Sequence, residues 1–276
     1  MRLSLCNEVL RPLPLAEQCD AAARMGYDAL EIAPFTLADD PFTLDGATAR
    51  GVRATALARG LRISSLHWLL VKPEGLSLVT DDAAQRGRTL DLLRRLIDFA
   101  AACEAGVLVH GSPAQRSPAP GQSVADATAR LEAALAELAP HAAAAGVVYC
   151  LEPLGPFETP VINTVAEAAA LVDRIGSPAI RTMLDVSAAS HSESEPVQEV
   201  LHRFLASGHI AHVQLNDRNR RGPGQGETDQ RPVLQVLKDM DYAGWVAVEP
   251  FEYVPDGPGC AEASALHLRE LWRTLS

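Results

Sequence analysis

The sequence contains no apolar run approaching the roughly 20 residues that a membrane span requires. Its opening, MRLSLCNEVLRPLPLAEQ, carries an acid at position 8 and no separate cleavage region, so it reads as a first strand and not as a signal peptide. Cys-x-x-Cys pairs are missing. The five cysteines, Cys6, Cys19, Cys103, Cys150 and Cys260, are odd in number and far apart, which argues against a zinc knuckle or disulfide framework and for a reducing, cytoplasmic setting. A basic face is missing too: the formal net charge is −11, and the one local cluster is RNRR, residues 218–221. A binder of phosphate backbones would carry the opposite balance, so no nucleic-acid partner is expected. No glycine-rich phosphate loop follows the first strand, where the chain reads CNEVLRPLP; this weakens an open, doubly wound sheet. No linker or shift in composition divides the chain, and a single domain over 1–276 is expected.

What is present is alternation. Short apolar runs end near Asn7, Ala33, His67, Gly111, Glu152, Asp185, Asn216 and Glu249. Between them lie Ala/Leu/Arg-rich stretches with helical spacing, such as SVADATARLEAALAELAPHAAAAG. Gly26, Gly60, Gly106, Gly146 and Gly176 stand where helices should be capped, and Thr164 with Glu167 forms a capping box. The stretch 112–123, SPAQRSPAPGQS, reads as a long strand-to-helix loop. Hydrophobic residues make up 47% of the chain, enough for a large core. Eight strand–helix units in this length predict an α/β fold, the (β/α)8 TIM barrel.

In such barrels the chemistry sits where strands end. Strand five ends at Glu152, strand six at Asp185 and strand eight at Glu249, and strand seven carries Gln214. Each is about one strand–helix unit from the next, which suggests four side chains at equivalent levels around the mouth. Three carboxylates packed together repel and are expensive to desolvate. A divalent cation removes both costs and gives the buried Gln214 oxygen a partner. An all-oxygen set suits Mg²⁺ or Mn²⁺ better than Zn²⁺ or Co²⁺. One acid at a strand end is as readily a helix cap; four polar groups in register are much harder to explain that way.

These residues carry a resemblance. LEP at 151–153, MLDVS at 183–187, HVQLNDRNRRGPGQGE at 212–227 and VAVEPF at 246–251 resemble the xylose-isomerase-like TIM-barrel superfamily over essentially the whole chain. That superfamily includes sugar isomerases, ketose 3-epimerases, inosose-processing enzymes and AP-endonucleases. The resemblance implies one divalent metal held by Glu152, Asp185, Gln214 and Glu249, with Glu152 and Glu249 also acting as acid and base. Most members have His where Gln214 stands, and the glutamine is similar to that of hydroxypyruvate isomerases. Ketose epimerases carry a His three residues past the strand-six Asp; here that position is Ala188, with His191 nearby.

The implied activity is isomerisation or epimerisation of a small sugar or hydroxy-carbonyl compound through a metal-stabilised enediolate. The rivals are a lyase or dehydratase on an oxidised sugar, and an AP-endonuclease-like hydrolase, which the acidic charge disfavours. Barrels of this family often associate, so a homo-oligomer is compatible with the sequence.

Further candidates each have a plainer reading. His67 and His110 end strands three and four, where they can bind a substrate hydroxyl or be satisfied within the barrel mouth. Glu31 ends strand two and can bind substrate or orient a neighbour. Trp68 can wall the pocket or pack. Arg220 and Arg221 precede the GPG turn of loop seven; the resemblance implies that an arginine of this loop contacts substrate, and a solvated loop is the alternative.

Overall fold

A computed structural model describes residues 1–276. Eight strands alternate with helices: β1 (Arg2–Cys6), α1 (Leu15–Arg24), β2 (Ala29–Ile32), α2 (Gly46–Leu57), β3 (Arg62–Leu66), α3 (Ala83–Cys103), β4 (Val107–His110), α4 (Pro113–Arg116) and α5 (Val124–Ala145). Then follow β5 (Val148–Leu151), α6 (Val165–Ile175), β6 (Ile180–Asp185), α7 (Val186–Ser192), α8 (Val197–Ala206), β7 (Ile210–Leu215), α9 (Arg231–Asp239), β8 (Trp245–Val248) and α10 (Gly257–Thr274). The strands pair in parallel in chain order and β8 closes on β1, so the sheet is a barrel. Every strand ends within one residue of the expected position.

Local chemistry explains the element boundaries. In α3 the buried positions Leu90, Leu93, Ile97 and Ala100 recur at three- and four-residue spacing, a stripe that faces the sheet. Ser123 caps α5 and Thr164 caps α6, the latter in the expected reciprocal box with Glu167; such caps contribute about 1 kcal/mol. Gly146 and Gly176 end their helices with φ of 71° and 67°, a region that favours glycine. Gly106 does not do this for α3. Glu104 takes the left-handed cap instead, with φ 59°. The 112–123 loop also holds the short helix α4.

Two apolar cores result. A cluster of 69 buried residues lies between sheet and helices. A separate trio, Val109, Cys150 and Met183, lies inside the barrel. Because side chains alternate along a strand, the trio fixes which residues face inward. Gly111 and Glu152 follow Val109 and Cys150 on the inner face, whereas Leu108, Tyr149 and Leu151 belong to the outer core. On β7, Val213 and Leu215 pack outward, leaving His212, Gln214 and then Asn216 for the interior. Polar side chains thus line the C-terminal end of the interior. No helix is long and apolar enough to cross a membrane.

Candidate active site

The end of the barrel gathers three carboxylates. Glu152, Asp185 and Glu249 are 6%, 3% and 2% exposed, and each offers an oxygen within 4.8 Å of the others. One cation with ligand distances of roughly 2.0–2.6 Å can bridge such a spacing. Gln214 stands on β7, between the strands that carry Asp185 and Glu249. It pairs with Asp185 across β6 and β7, but on the other side it pairs with Ala247, two residues before Glu249. Offsets of this size from strand to strand are the ordinary shear of such a barrel.

Two of the carboxylates, Asp185 and Glu249, are held by their neighbours. Asp185 Oδ1 accepts from the Ala188 backbone N–H at 2.7 Å, and Oδ2 accepts from Asn216 Nδ2 at 2.6 Å. Asn216 also donates to the Glu249 carbonyl and accepts from the Ser187 N–H, so one buried amide ties three strand ends together. Glu249 Oε1 accepts from Trp68 Nε1 at 2.9 Å and His67 Nδ1 at 3.0 Å. Its Oε2 is buried and has no partner. The backbone carbonyl of Glu152 accepts from the fully buried Arg116 at 2.6 Å.

Within this group two buried acceptors therefore lack donors, Gln214 Oε1 and Glu249 Oε2. Buried polar atoms are rarely left unpaired, and each costs about 1–3 kcal/mol. The electrostatics point the same way. Burial, then repulsion from Glu249 and Asp185, pushes the Glu152 carboxyl well above its ordinary range. Burial, then Glu249, pushes Asp185 up to about 8. Glu249 is raised as well, by burial that outweighs the opposing hydrogen bond from His67. Three acids that resist ionisation beside two orphaned oxygens fit a bound divalent cation, with Glu152, Asp185, Gln214 and Glu249 as an all-oxygen donor set.

A second acidic group, Cys6, Glu8, His67 and Glu249, has comparable spacing. It is better read as a hydrogen-bonded chain. His67 Nδ1 faces Glu249, and its Nε2, on the opposite ring edge, lies 2.9 Å from Glu8 Oε2. Burial alone would favour a neutral ring, but Glu8 and Glu249 on its two edges raise its pKa well above the usual value.

These shifts set a pH dependence for the metal-stripped protein. A carboxyl with a raised native pKa supports the fold while protonated and withdraws that support as pH rises through the native value. For Asp185 the window runs from 3.8 to about 8. His67, raised above 6.5, acts in the same direction at its upper edge. The melting temperature of stripped protein should fall between pH 5 and 8, by roughly 2–4 °C for each kcal/mol lost, and saturating Mn²⁺ should flatten the curve. A flat profile without metal would show that the three acids are not assembled in solution.

The other expected residues fall into two groups. Trp68 and Arg220 stand at the mouth. The Trp68 indole N–H reaches Glu249, and Trp68 lies between Phe35 and Phe251 at centroid distances of 6.3 and 6.4 Å. The Arg220 guanidinium lies 4.1 Å from the Phe251 ring centroid, and its Nη1 is 3.3 Å from Glu158. Both residues have positive φ, 52° and 68°, conformations that tend to occur at functional sites. Glu8, Arg11, Phe35, Trp68, Phe251 and Tyr253 line a cavity of about 320 Å³ on this side.

The remaining candidates sit away from the cavity. His67 is fully buried with both nitrogens engaged. His110 faces outward, as the pleat requires, and bonds Tyr149 Oη at 2.7 Å. Glu31 is fully buried beneath Gln214. Arg221 reaches Glu252 at the surface, at 3.6 Å. His191, one turn beyond Ala188, donates to the Arg218 carbonyl at 3.0 Å and meets the Phe157 edge. A larger groove of about 810 Å³ lies there, but it includes none of Glu152, Asp185, Gln214 and Glu249, and none of its buried acid oxygens is unpartnered.

Gly111 supplies a close approach. A Cβ built there would collide with Glu152 Oε2, although no positive φ forbids alanine. Gly111→Ala should therefore displace the Glu152 carboxylate while leaving the fold intact. Misplacement of a reacting group by about 1 Å costs up to about 10²-fold, so turnover should fall by that order with little change in melting temperature. Unchanged turnover would mean that the Glu152 position is unimportant.

A probable ketose 3-epimerase of Synechocystis sp. is 26% identical over 267 residues, covering 92% of this chain and 82% of that protein. A D-psicose 3-epimerase of Ruminiclostridium cellulolyticum is 27% identical over 234 residues, covering 84% and 76%. Among solved structures, an L-ribulose 3-epimerase superposes with a TM-score of 0.84 at 21% identity, covering 99% of this chain and 95% of that one, a likeness of fold. The family described as xylose isomerase-like TIM barrel matches residues 19–271, and the chain belongs to it.

Proposed function

We propose that this chain is a divalent-metal-dependent epimerase of a ketose-like sugar, with Glu152 and Glu249 carrying the proton. The convergence of three buried carboxylates, with the unpartnered Gln214 oxygen on the strand between those of Asp185 and Glu249, carries this reading. The ketose 3-epimerases among its relatives support the reaction class.

The residues divide the work. Glu152, Asp185, Gln214 and Glu249 would hold the cation, Mn²⁺ or Mg²⁺ by the hardness of the set. When bound, the cation supplies positive charge where a substrate oxygen becomes anionic. Trp68 and His67 fix Glu249 through Oε1 and leave Oε2 free. One glutamate takes the proton from the carbon beside the carbonyl. The second glutamate delivers a proton to the opposite face of that carbon and inverts it. A single glutamate moving the proton to the adjacent carbon would give aldose–ketose isomerisation instead. Arg220, stacked on Phe251 at the mouth and beside Glu158, is placed to meet substrate hydroxyls.

The test is metal analysis followed by incubation with ketoses, aldoses and hydroxy-carbonyl acids in D₂O, with an abasic DNA duplex alongside. Deuterium should enter a ketose at C3 with formation of its epimer. Exchange with aldose formation would make it an isomerase. Loss of water from the substrate would make it a dehydratase. Metal-dependent nicking of the duplex without exchange would overturn the reading, against the expectation from a net charge of −11.

A further inference from the structure

We infer that Glu31 is a positioning residue that fixes which end of Gln214 faces the metal site. This inference rests on the metal-site reading above and adds a residue that the reading does not need.

The geometry is one-sided. Glu31 projects from β2 across the barrel interior and is fully buried. Gln214 Nε2 donates to Glu31 Oε1 at 2.6 Å. The other carboxylate oxygen accepts from Ser65 Oγ, and His212 Nε2 lies 2.6 Å from it, close but not aligned as a hydrogen bond. Cys6 adds a weak S–H donor at 3.6 Å from Oε1. Glu31 is therefore ringed by donors, as a buried carboxylate must be.

An ionised carboxylate only accepts, whereas a primary amide has a donating end and an accepting end. The two ends of Gln214 are thus not equivalent. Its NH₂ must face Glu31, because the reversed amide would set two oxygens against each other at 2.6 Å. The carbonyl is left pointing the other way, and Gln214 Oε1 is indeed the buried acceptor with no partner. Glu31 converts an ambiguous side chain into a directed oxygen donor.

The same device works for a second residue type. A histidine at position 214 would donate one ring N–H to Glu31 and present its other nitrogen beyond. That is the carboxylate–histidine–metal arrangement, in which the outer carboxylate sets the tautomer. Glu31 therefore makes glutamine and histidine interchangeable here: it demands a donor on its own side and leaves a lone pair on the far side.

The experiment is titration of Mn²⁺ into metal-stripped protein, followed by the electron paramagnetic resonance of free Mn²⁺. The proteins are wild type, Glu31→Gln, Gln214→Leu and the double variant. In Glu31→Gln the amide can present either end to Gln214, so the direction is lost. Outer-shell changes of this kind typically cost about 10–100-fold in metal affinity, and that loss is expected. In the Gln214→Leu background, Glu31→Gln should cause no further loss, because the residue it directs is gone. Glu31→Asp, which keeps the charge but draws the acceptor away from Gln214, should reproduce the loss even if Glu31→Gln folds poorly.

A purely structural Glu31 would lower the melting temperature equally in both backgrounds and leave Mn²⁺ affinity unchanged; that result overturns the inference and spares the metal site. Wild type that binds no Mn²⁺ overturns both.

Discussion

Glu249→Gln and Glu152→Gln should each abolish measurable turnover while the protein stays folded. In Glu249, Trp68 and His67 both donate to Oε1. A glutamine carbonyl can accept the same two bonds. Its NH₂ then takes the place of Oε2, the unpartnered oxygen, and turns a donor toward the other acids. The substitution therefore removes a ligand and a proton carrier without disturbing the packing. Glu152 is simpler still, because Arg116 holds its backbone carbonyl and not its carboxylate. General acid–base groups contribute about 10²–10⁴-fold, and loss of a metal ligand adds to that. Melting temperatures of the metal-stripped variants should match or exceed wild type, since each removes a buried acid that burial and repulsion disfavour. If both variants turn over an identified substrate at near-normal rates, the site is wrongly placed.

Much of this was legible in the sequence, for reasons that differ by residue. Strand ends could be read because short apolar runs stop at polar residues, and glycine caps and the Thr164 box punctuate the helices between them. The acids at 152, 185 and 249 followed from their places at those ends. Register could not be read, because it is set by pairing between strands: only pairing shows Gln214 opposite Asp185 on one side and Ala247 on the other. The facing of His110 was available: it stands between Val109 and Gly111, which face inward, and must therefore face out.

Other members of the site carry no local signal. Glu158 and Arg220 meet across 62 residues, and Arg116 lies in a proline-rich loop without periodicity. Glu8 is two residues past Cys6, but the strand has already given way to a turn there. Asn216 shares its face with Gln214 by simple alternation, yet nothing in the sequence assigns it three strand ends to tie. Such residues are found only once the barrel brings distant loops together; among them Asn216 holds Asp185 and the Glu249 carbonyl, and Arg116 holds the Glu152 carbonyl.

Metal preference should change when Gln214 changes. With its NH₂ committed to Glu31, Gln214 can offer only oxygen, and the set is hard throughout. Wild type should favour Mn²⁺ or Mg²⁺. Gln214→His keeps a donor for Glu31 and substitutes nitrogen for oxygen at the other end, so affinity should move toward Zn²⁺ and Co²⁺, ions that imidazole suits. Gln214→Leu should weaken binding of every metal, and by more than the roughly 10–100-fold of an outer-shell change, because a direct ligand is gone. It should also strand a donor-hungry Glu31 oxygen. A glutamine that merely bridges β7 to β2 predicts something else: a loss of about 1–3 kcal/mol in stability on mutation, with metal preference untouched. Parallel titrations of Mn²⁺ and Zn²⁺ into stripped wild type and Gln214→His separate the two cases. The ratio of the two affinities should shift toward Zn²⁺ in the histidine variant; the same ratio in both proteins would remove Gln214 from the ligand set and leave the three carboxylates to hold the ion alone.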